Sequence, residues 1–275
     1  MPKNKIHRSI STDSVGWLGN SEQFIFLYKE YFENNTFDGV EMIAFKPLHR
    51  LRRFIDHLKK HRIETTSFHS QTGDDKQFPL TGRIIMSIVN SLIFDIPNLQ
   101  KYFKNIDPLA HAPYLRNKET KDKIKILKPN TLWIENHNYG ELGVERAIAL
   151  IDDYRKYGIN AKGMLDLYHY LAHLPTKTII KDWKKIIKKI KLYSRWFSGI
   201  HLPIGSRRDD SLPIEDFTDE MLSLFAKEII PRIEKLVIEN QQQGIGLVTS
   251  STRMLIKQKQ RNAVNFSRLK KAGIL

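Results

Sequence analysis

Two short apolar runs, TLWIEN (Thr131 to Asn136) and KLVIEN (Lys235 to Asn240), each close on a glutamate followed by an asparagine. A carboxylate at the tip of a buried strand is costly unless something there requires it. Glu135 and Glu239 belong to a longer series. Reading the ends of the apolar, β-branched runs in order gives Glu41, His69, His111, Glu135, Asp166 with His169, His201 and Glu239. Taken singly, each has an ordinary explanation: a strand-end histidine hydrogen-bonds in a loop, and a glutamate pairs with one of the 45 Lys and Arg. Gathered in one place, the acids and imidazoles repel or desolvate one another unless a counter-ion joins them. A divalent metal resolves that conflict. The chain has no cysteine, so thiolate sites and disulfides are excluded and His, Asp and Glu must hold any ion. Three acids and one neutral imidazole, Glu135, Asp166, Glu239 and His201, are the ligand set expected here. Such a set suits Mn²⁺ foremost, then Mg²⁺ or Co²⁺, with Zn²⁺ and Fe²⁺ also compatible.

The elements that must position these groups are eight strand-like runs separated by amphipathic stretches of helical period. The runs are Lys5 to Ser11, Gly39 to Phe45, Glu64 to His69, Asp107 to Ala112, Thr131 to Asn136, Ala161 to Asp166, Phe197 to Leu202 and Lys235 to Asn240. Between them, HRLRRFIDHLKKH puts Leu51, Phe54, Ile55 and Leu58 on one stripe. GVERAIALIDDYRKYG does the same with Val144, Ile148 and Ile151 before a glycine stop at Gly158. The stretch from Leu80 to Lys104 is expected to hold more than one helix. Strand and helix alternating in this way predict a parallel sheet of βα units. A sandwich is disfavoured because helices fill the gaps. An open doubly wound sheet would carry a Gly-rich phosphate turn after its first strand, and STDSVGWLGN is not one. The expected fold is therefore α/β, a (β/α)8 TIM barrel. It would be a single domain over residues 1–275, with a basic C-terminal helix or tail from about 250 to 275. In such a barrel the strand ends converge on one mouth, where active sites sit.

The formal charge of +15 fits a nucleic-acid ligand, an anionic metabolite or a lysine-rich composition equally. Much of it lies in KDWKKIIKKIKLYSRW, where Trp183, Ile186, Ile187 and Ile190 recur at helical spacing with lysines between them. That reads as the solvated face of an outer helix rather than a binding patch. No apolar run approaches the length needed to cross a bilayer, and the N-terminus lacks the apolar core of a signal peptide. No membrane partner and a cytoplasmic location are the expectations.

The chain resembles the xylose isomerase-like TIM barrels, the superfamily of sugar isomerases and epimerases that also contains endonuclease IV. The resemblance rests on Glu135 in WIEN, Asp166 and His169 in MLDLYH, His201 in GIHLPIG and Glu239 in VIEN, with Asp-x-x-His the most specific part. It implies that Glu135, Asp166, His201 and Glu239 hold one metal and that His169 touches a substrate oxygen. Glu135 and Glu239 would face opposite sides of a sugar carbon. One would remove a proton alpha to a carbonyl through a metal-stabilised enediolate, and the other would return it. The implied partner is a sugar or sugar phosphate, with nucleic acid as the lesser alternative, and the implied assembly a homodimer or homotetramer. His69, His111 and Asn136 are candidate substrate contacts. So are Arg207 and Arg208, which could meet a phosphate or carboxylate or do nothing specific.

Endonuclease IV is the rival within the resemblance. It holds three zinc ions with further histidines from strands three and four, where His69 and His111 stand, and GSRRDDS resembles its Ser-Arg-x-Asp-x-His motif. The last histidine of that motif is Ser211 here, which puts its third zinc in doubt. The sugar-enzyme pattern also departs after His201, where an acid and a Gly-x-Gly stretch are replaced by LPIGSRRDDSLPIEDF. A third reading is a non-catalytic barrel that binds metal or sugar without turnover.

Overall fold

All eight runs read as strands pair in chain order, each parallel to the next, and the eighth returns to the first to close the sheet. The computed structural model describes residues 6–12, 21–43, 48–70, 106–116, 118–137, 140–205, 216–241 and 252–275. The strands are β1 (His7–Ser11), β2 (Gly39–Ile43), β3 (Thr65–Ser70), β4 (Asp107–His111), β5 (Leu132–Glu135), β6 (Ala161–Asp166), β7 (Phe197–Gly205) and β8 (Lys235–Gln241). The described α-helices are α1 (Ser21–Glu33), α2 (Leu48–Lys60), α3 (Ala112–Leu115), α4 (Lys118–Leu127), α5 (Glu141–Lys156), α6 (Leu167–Leu171), α7 (Thr176–Tyr193), α8 (Asp219–Glu228) and α9 (Thr252–Lys271). The helices expected between Leu80 and Lys104 lie outside the described residues.

Alternation along each strand divides the core in two. Ile134, Leu165, Ile200 and Ile238 belong to the large apolar cluster that includes Val144 and Ile151 of α5, Trp183 and Ile187 of α7 and Phe225 of α8. Their immediate neighbours Trp133, Met164 and Val237, with Leu109, form a separate buried cluster of opposite parity, the packed interior of the barrel. One strand therefore serves two cores, which is why these runs read as near-continuous hydrophobics.

The helices follow the stripes expected of them. Leu51, Phe54, Ile55 and Leu58 of α2 are buried, as are Trp183, Ile186, Ile187 and Ile190 of α7, whose lysines alternate outward. Gly158 ends α5 with φ of 74°, a left-handed C-terminal position that glycine adopts without cost. The basic C-terminal segment is a helix docked on α1. Phe266 lies 4.7 Å from the Tyr31 ring and 5.3 Å from the Phe37 ring, both near perpendicular. No helix among the described residues is long and apolar enough to cross a membrane.

Candidate metal centre

Two positions beyond the inner apolar layer, the same parity delivers polar side chains instead. Trp133 gives way to Glu135, Met164 to Asp166, Val237 to Glu239 and Leu109 to His111. Strand register then sets them level: His111 is paired with Glu135, and Asp166 with His201. Beneath His201, the same parity falls on Gly199, where a Cβ would lie 2.8 Å from Met164 and from the Trp133 ring. A larger residue there would push the layer into the mouth.

The resulting cluster is buried and dense. His69 Nε2 lies 2.8 Å from Glu135 Oε2, and His111 Nε2 3.4 Å from Glu135 Oε1. His201 Nδ1 lies 3.6 Å from Glu135 Oε1 and 3.2 Å from Glu239 Oε1, while its Nε2 is 2.9 Å from Glu41 Oε1. His169 Nε2 lies 3.6 Å from Asp166 Oδ2 and 4.0 Å from Glu135 Oε1. Short as these separations are, both oxygens of Glu135 and both nitrogens of His69, His111 and His201 lack an aligned hydrogen bond. Buried carboxylate oxygens and ring nitrogens that converge without aligned hydrogen bonds are the donor arrangement of a cation site.

Electrostatics point the same way. Burial alone would raise the acid of Glu135, but the adjacent His111, His69 and His201 hold it well below the ordinary carboxylate range. Glu41 is likewise held low against burial by His201 and Lys235. Against burial, Glu239, Glu41 and Glu135 hold the His201 imidazole well above its ordinary range. Asp166 is the exception: burial and the neighbouring charge of Glu135 push it up to about 8. Burial drives His169 down to about 3, keeping it a neutral imidazole. A cation among these groups would replace the protons now balancing them.

A second set of residues holds the first in place. Glu41 Oε2 accepts from Ser67 Oγ at 2.7 Å and faces Lys235 Nζ at 3.3 Å, and Lys235 also donates to Ser67 at 2.5 Å. Both Glu41 and Lys235 are buried. Asn136 clamps β5 to β6: its Oδ1 accepts from the Asp166 backbone N–H at 2.7 Å and its Nδ2 donates to the Asp166 carbonyl at 3.2 Å. Both ends of its amide are thus engaged with backbone. Asp166 in turn caps α6, its Oδ1 accepting from the His169 backbone N–H at 3.1 Å.

The four expected ligands, Glu135, Asp166, His201 and Glu239, are spread over overlapping groups of potential donors. Among the described residues the potential donors fall into overlapping groups: Glu135, Asp166 and His169; Glu41, His69, His201 and Glu239; His69, His111 and Glu135; and His111, His137 and His169. Glu135 links the first to the third, and His201 bridges Glu135 to Glu239. Arg207 and Arg208 lie outside the described residues. Lys235 and His137 were not singled out from sequence. Lys235 opens a strand, where a lysine reads as solvated, yet it shares parity with Val237 and Glu239. His137 follows WIEN, beyond the strand, and only the neighbouring His111 and His169 give it meaning.

Several solved structures match this architecture at very low identity. L-ribulose 3-epimerase matches with a TM-score of 0.57 and 12% identity over 98% of this chain and 96% of that one. D-allulose 3-epimerase from Methylomonas sp. matches at 0.55 and 8% identity over 98% of each chain. This chain shares its barrel fold with sugar epimerases. The IOLI protein, solved with a binding zinc atom, matches at 0.53 and 13% identity over 97% of this chain and 99% of that one. No family model matches the sequence, and no curated protein matches it.

Proposed function

We propose that the chain is a divalent-metal-dependent isomerase or epimerase of a sugar or sugar phosphate, working at a carbon alpha to a carbonyl. The observation that carries this reading is the approach of Glu135 from β5 and Glu239 from β8 to the same nitrogen, His201 Nδ1, at 3.6 and 3.2 Å. Two carboxylates from well-separated strands flanking one point suit removal of a proton on one face and its return on the other. A bound ion would be held by Glu135, Asp166, His201 and Glu239, and its chemistry is to polarise the substrate carbonyl and stabilise enediolate charge. His169, 21% exposed at the mouth and held neutral, offers a hydrogen bond to a substrate oxygen. His69 and His111 line the wall beside Glu135, and Arg207 and Arg208 would meet a phosphate where the substrate carries one. The barrel neighbours that act on sugars support the class of substrate.

Glu239→Gln tests the assignment. Turnover across a panel of ketoses, aldoses and their phosphates, and deuterium uptake from solvent at the alpha carbon, should fall at least a hundredfold while melting temperature changes little. Full activity in the variant would overturn it.

A second reading is favoured by the group His69, His111 and Glu135, in which Glu135 is shared with Asp166 and His169. These donors outnumber what one ion uses, and a polynuclear zinc site suits phosphodiester hydrolysis of the endonuclease IV kind. The basic charge agrees with a DNA substrate. Elemental analysis bears on the two: three zincs per chain support the nuclease, whereas the epimerase needs one ion at the carboxylate-rich position. Absence of binding to an abasic duplex at low salt would eliminate the nuclease.

A further inference from the structure

His111 ends β4, His137 lies just past β5 and His169 sits in α6 after β6, so three consecutive βα junctions each send an imidazole to one spot. Ring centroids are 4.6 Å apart for His111 and His137, 5.1 Å for His137 and His169, and 5.7 Å for His111 and His169. One nitrogen from each ring lies within 4.8 Å of the others. His111 is 6% exposed; neither ring nitrogen makes an aligned hydrogen bond, and only Nε2 has a carboxylate near it, Glu135 Oε1 at 3.4 Å. Edge-to-face ring contact is the competing explanation. Such contact contributes about 0.5–1.5 kcal/mol per pair, whereas an unsatisfied buried polar atom costs about 1–3 kcal/mol. Ring contact of this size can offset the cost, but it leaves the His111 nitrogens without an aligned hydrogen bond. A neutral imidazole carries one N–H and one lone pair, so three neutral rings can offer three lone pairs to a common point.

We propose that His111, His137 and His169 form a metal position of their own, distinct from the carboxylate-rich one, that takes Zn²⁺ or a similar borderline transition ion. The donor chemistry separates the two positions. An all-imidazole set favours zinc, cobalt or nickel, while Glu135, Asp166 and Glu239 favour manganese or magnesium. Tetrahedral zinc bonds of 2.0–2.1 Å put ligand nitrogens about 3.3 Å apart, reachable from the present separations by side-chain rotation. Three histidines leave a fourth coordination position. His137 and His169 are only partly buried, so that position faces the mouth and its solvent. This goes beyond the proposed isomerase, whose ion needs neither His111 nor His137.

The test is metal stoichiometry in the full chain, freed of metal and reloaded with Zn²⁺ or Co²⁺. His137→Ala should lose one equivalent of zinc while circular dichroism and the remaining metal are retained. His137→Cys should restore that equivalent and, with Co²⁺, add a near-ultraviolet thiolate-to-cobalt charge-transfer band, which arises only when residue 137 is a ligand. Glu239→Gln should perturb the manganese-preferring position and leave the imidazole one intact, so the two readings fail separately. Unchanged zinc stoichiometry in His137→Ala, or no charge-transfer band in His137→Cys, would overturn the proposal.

Discussion

Replacing Lys235 with methionine keeps the length of the stem and removes the ammonium facing Glu41. Both groups are buried, at 5% and 0% exposure, and Glu41 Oε2 has Ser67 at 2.7 Å and Lys235 at 3.3 Å. Without Lys235, the Glu41 carboxylate keeps the Ser67 hydroxyl and the His201 ring but loses a full positive charge in the barrel interior. Breaking a buried pair by removing one partner costs about 3–5 kcal/mol. For a domain of this size that corresponds to about 5–10 °C in melting temperature. Urea denaturation of chelator-treated protein would show it as a lower midpoint at unchanged slope. The pH dependence has a definite sign. Against burial, His201 and Lys235 hold Glu41 below its ordinary range, so its contribution is present above that range and lost as pH falls through the folded value. The deficit of Lys235→Met should therefore be greater at pH 7 than at pH 4. Adding Glu41→Gln should recover part of the loss, with a coupling of about 1–3 kcal/mol between the two sites. A deficit below about 1 kcal/mol, or strict additivity of the two changes, would refute the reasoning.

Asp166 gives a pH prediction of opposite sense. Burial and Glu135 raise its acid from the ordinary 3.8 to about 8, so the bound proton stabilises the metal-free fold at low pH and that contribution fades as pH rises toward 8. Metal must displace this proton and the one held on His201, so Mn²⁺ affinity should climb about tenfold or more per pH unit below 8; a flat titration between pH 6 and 8 by calorimetry would contradict it. Asn136→Ala removes two buried hydrogen bonds to the Asp166 backbone and should cost about 1–3 kcal/mol in urea denaturation. Unchanged stability would show that the clamp is dispensable. Gly199→Ala places a methyl 2.8 Å from Met164 and Trp133, and a loss of about 1–3 kcal/mol is expected from overpacking. An unaltered melting temperature would mean that Met164 swings aside freely.

Fold and mouth were legible because two periodicities coincide. Strands carrying apolar residues on both faces can only be buried strands, and helices such as α7 repeat their stripes so plainly that eight βα units could be counted. Strand limits then shifted by a few residues at most: β6 spans Ala161–Asp166 as expected, while β7 extends to Gly205. The convergence of His69, His111, Glu135, Asp166, His201 and Glu239 follows from closure, since residues at the ends of neighbouring barrel strands must meet.

What the sequence concealed is how the donors divide among possible ions. Strand parity places a Cα on the inner face, but side-chain reach decides which oxygen meets which nitrogen. Glu41 illustrates the difference: it stands on a strand whose register with β3 shifts between Val40 and Glu41, so parity counted from β3 would misplace it by one residue. Lys235 lies at the start of β8 rather than its end, yet its stem carries the ammonium to Ser67 and Glu41, joining β8 to β3 and β2. Its partner Glu41 meets His201 Nε2, leaving Nδ1 turned toward Glu135 and Glu239. The glutamates of the two IEN runs therefore meet at a nitrogen whose orientation is set from β2, and a lysine in the same run as Glu239 secures that orientation. In the proposed reaction the carboxylates would supply the chemistry, and the buried pair behind them sets which nitrogen of the imidazole they share.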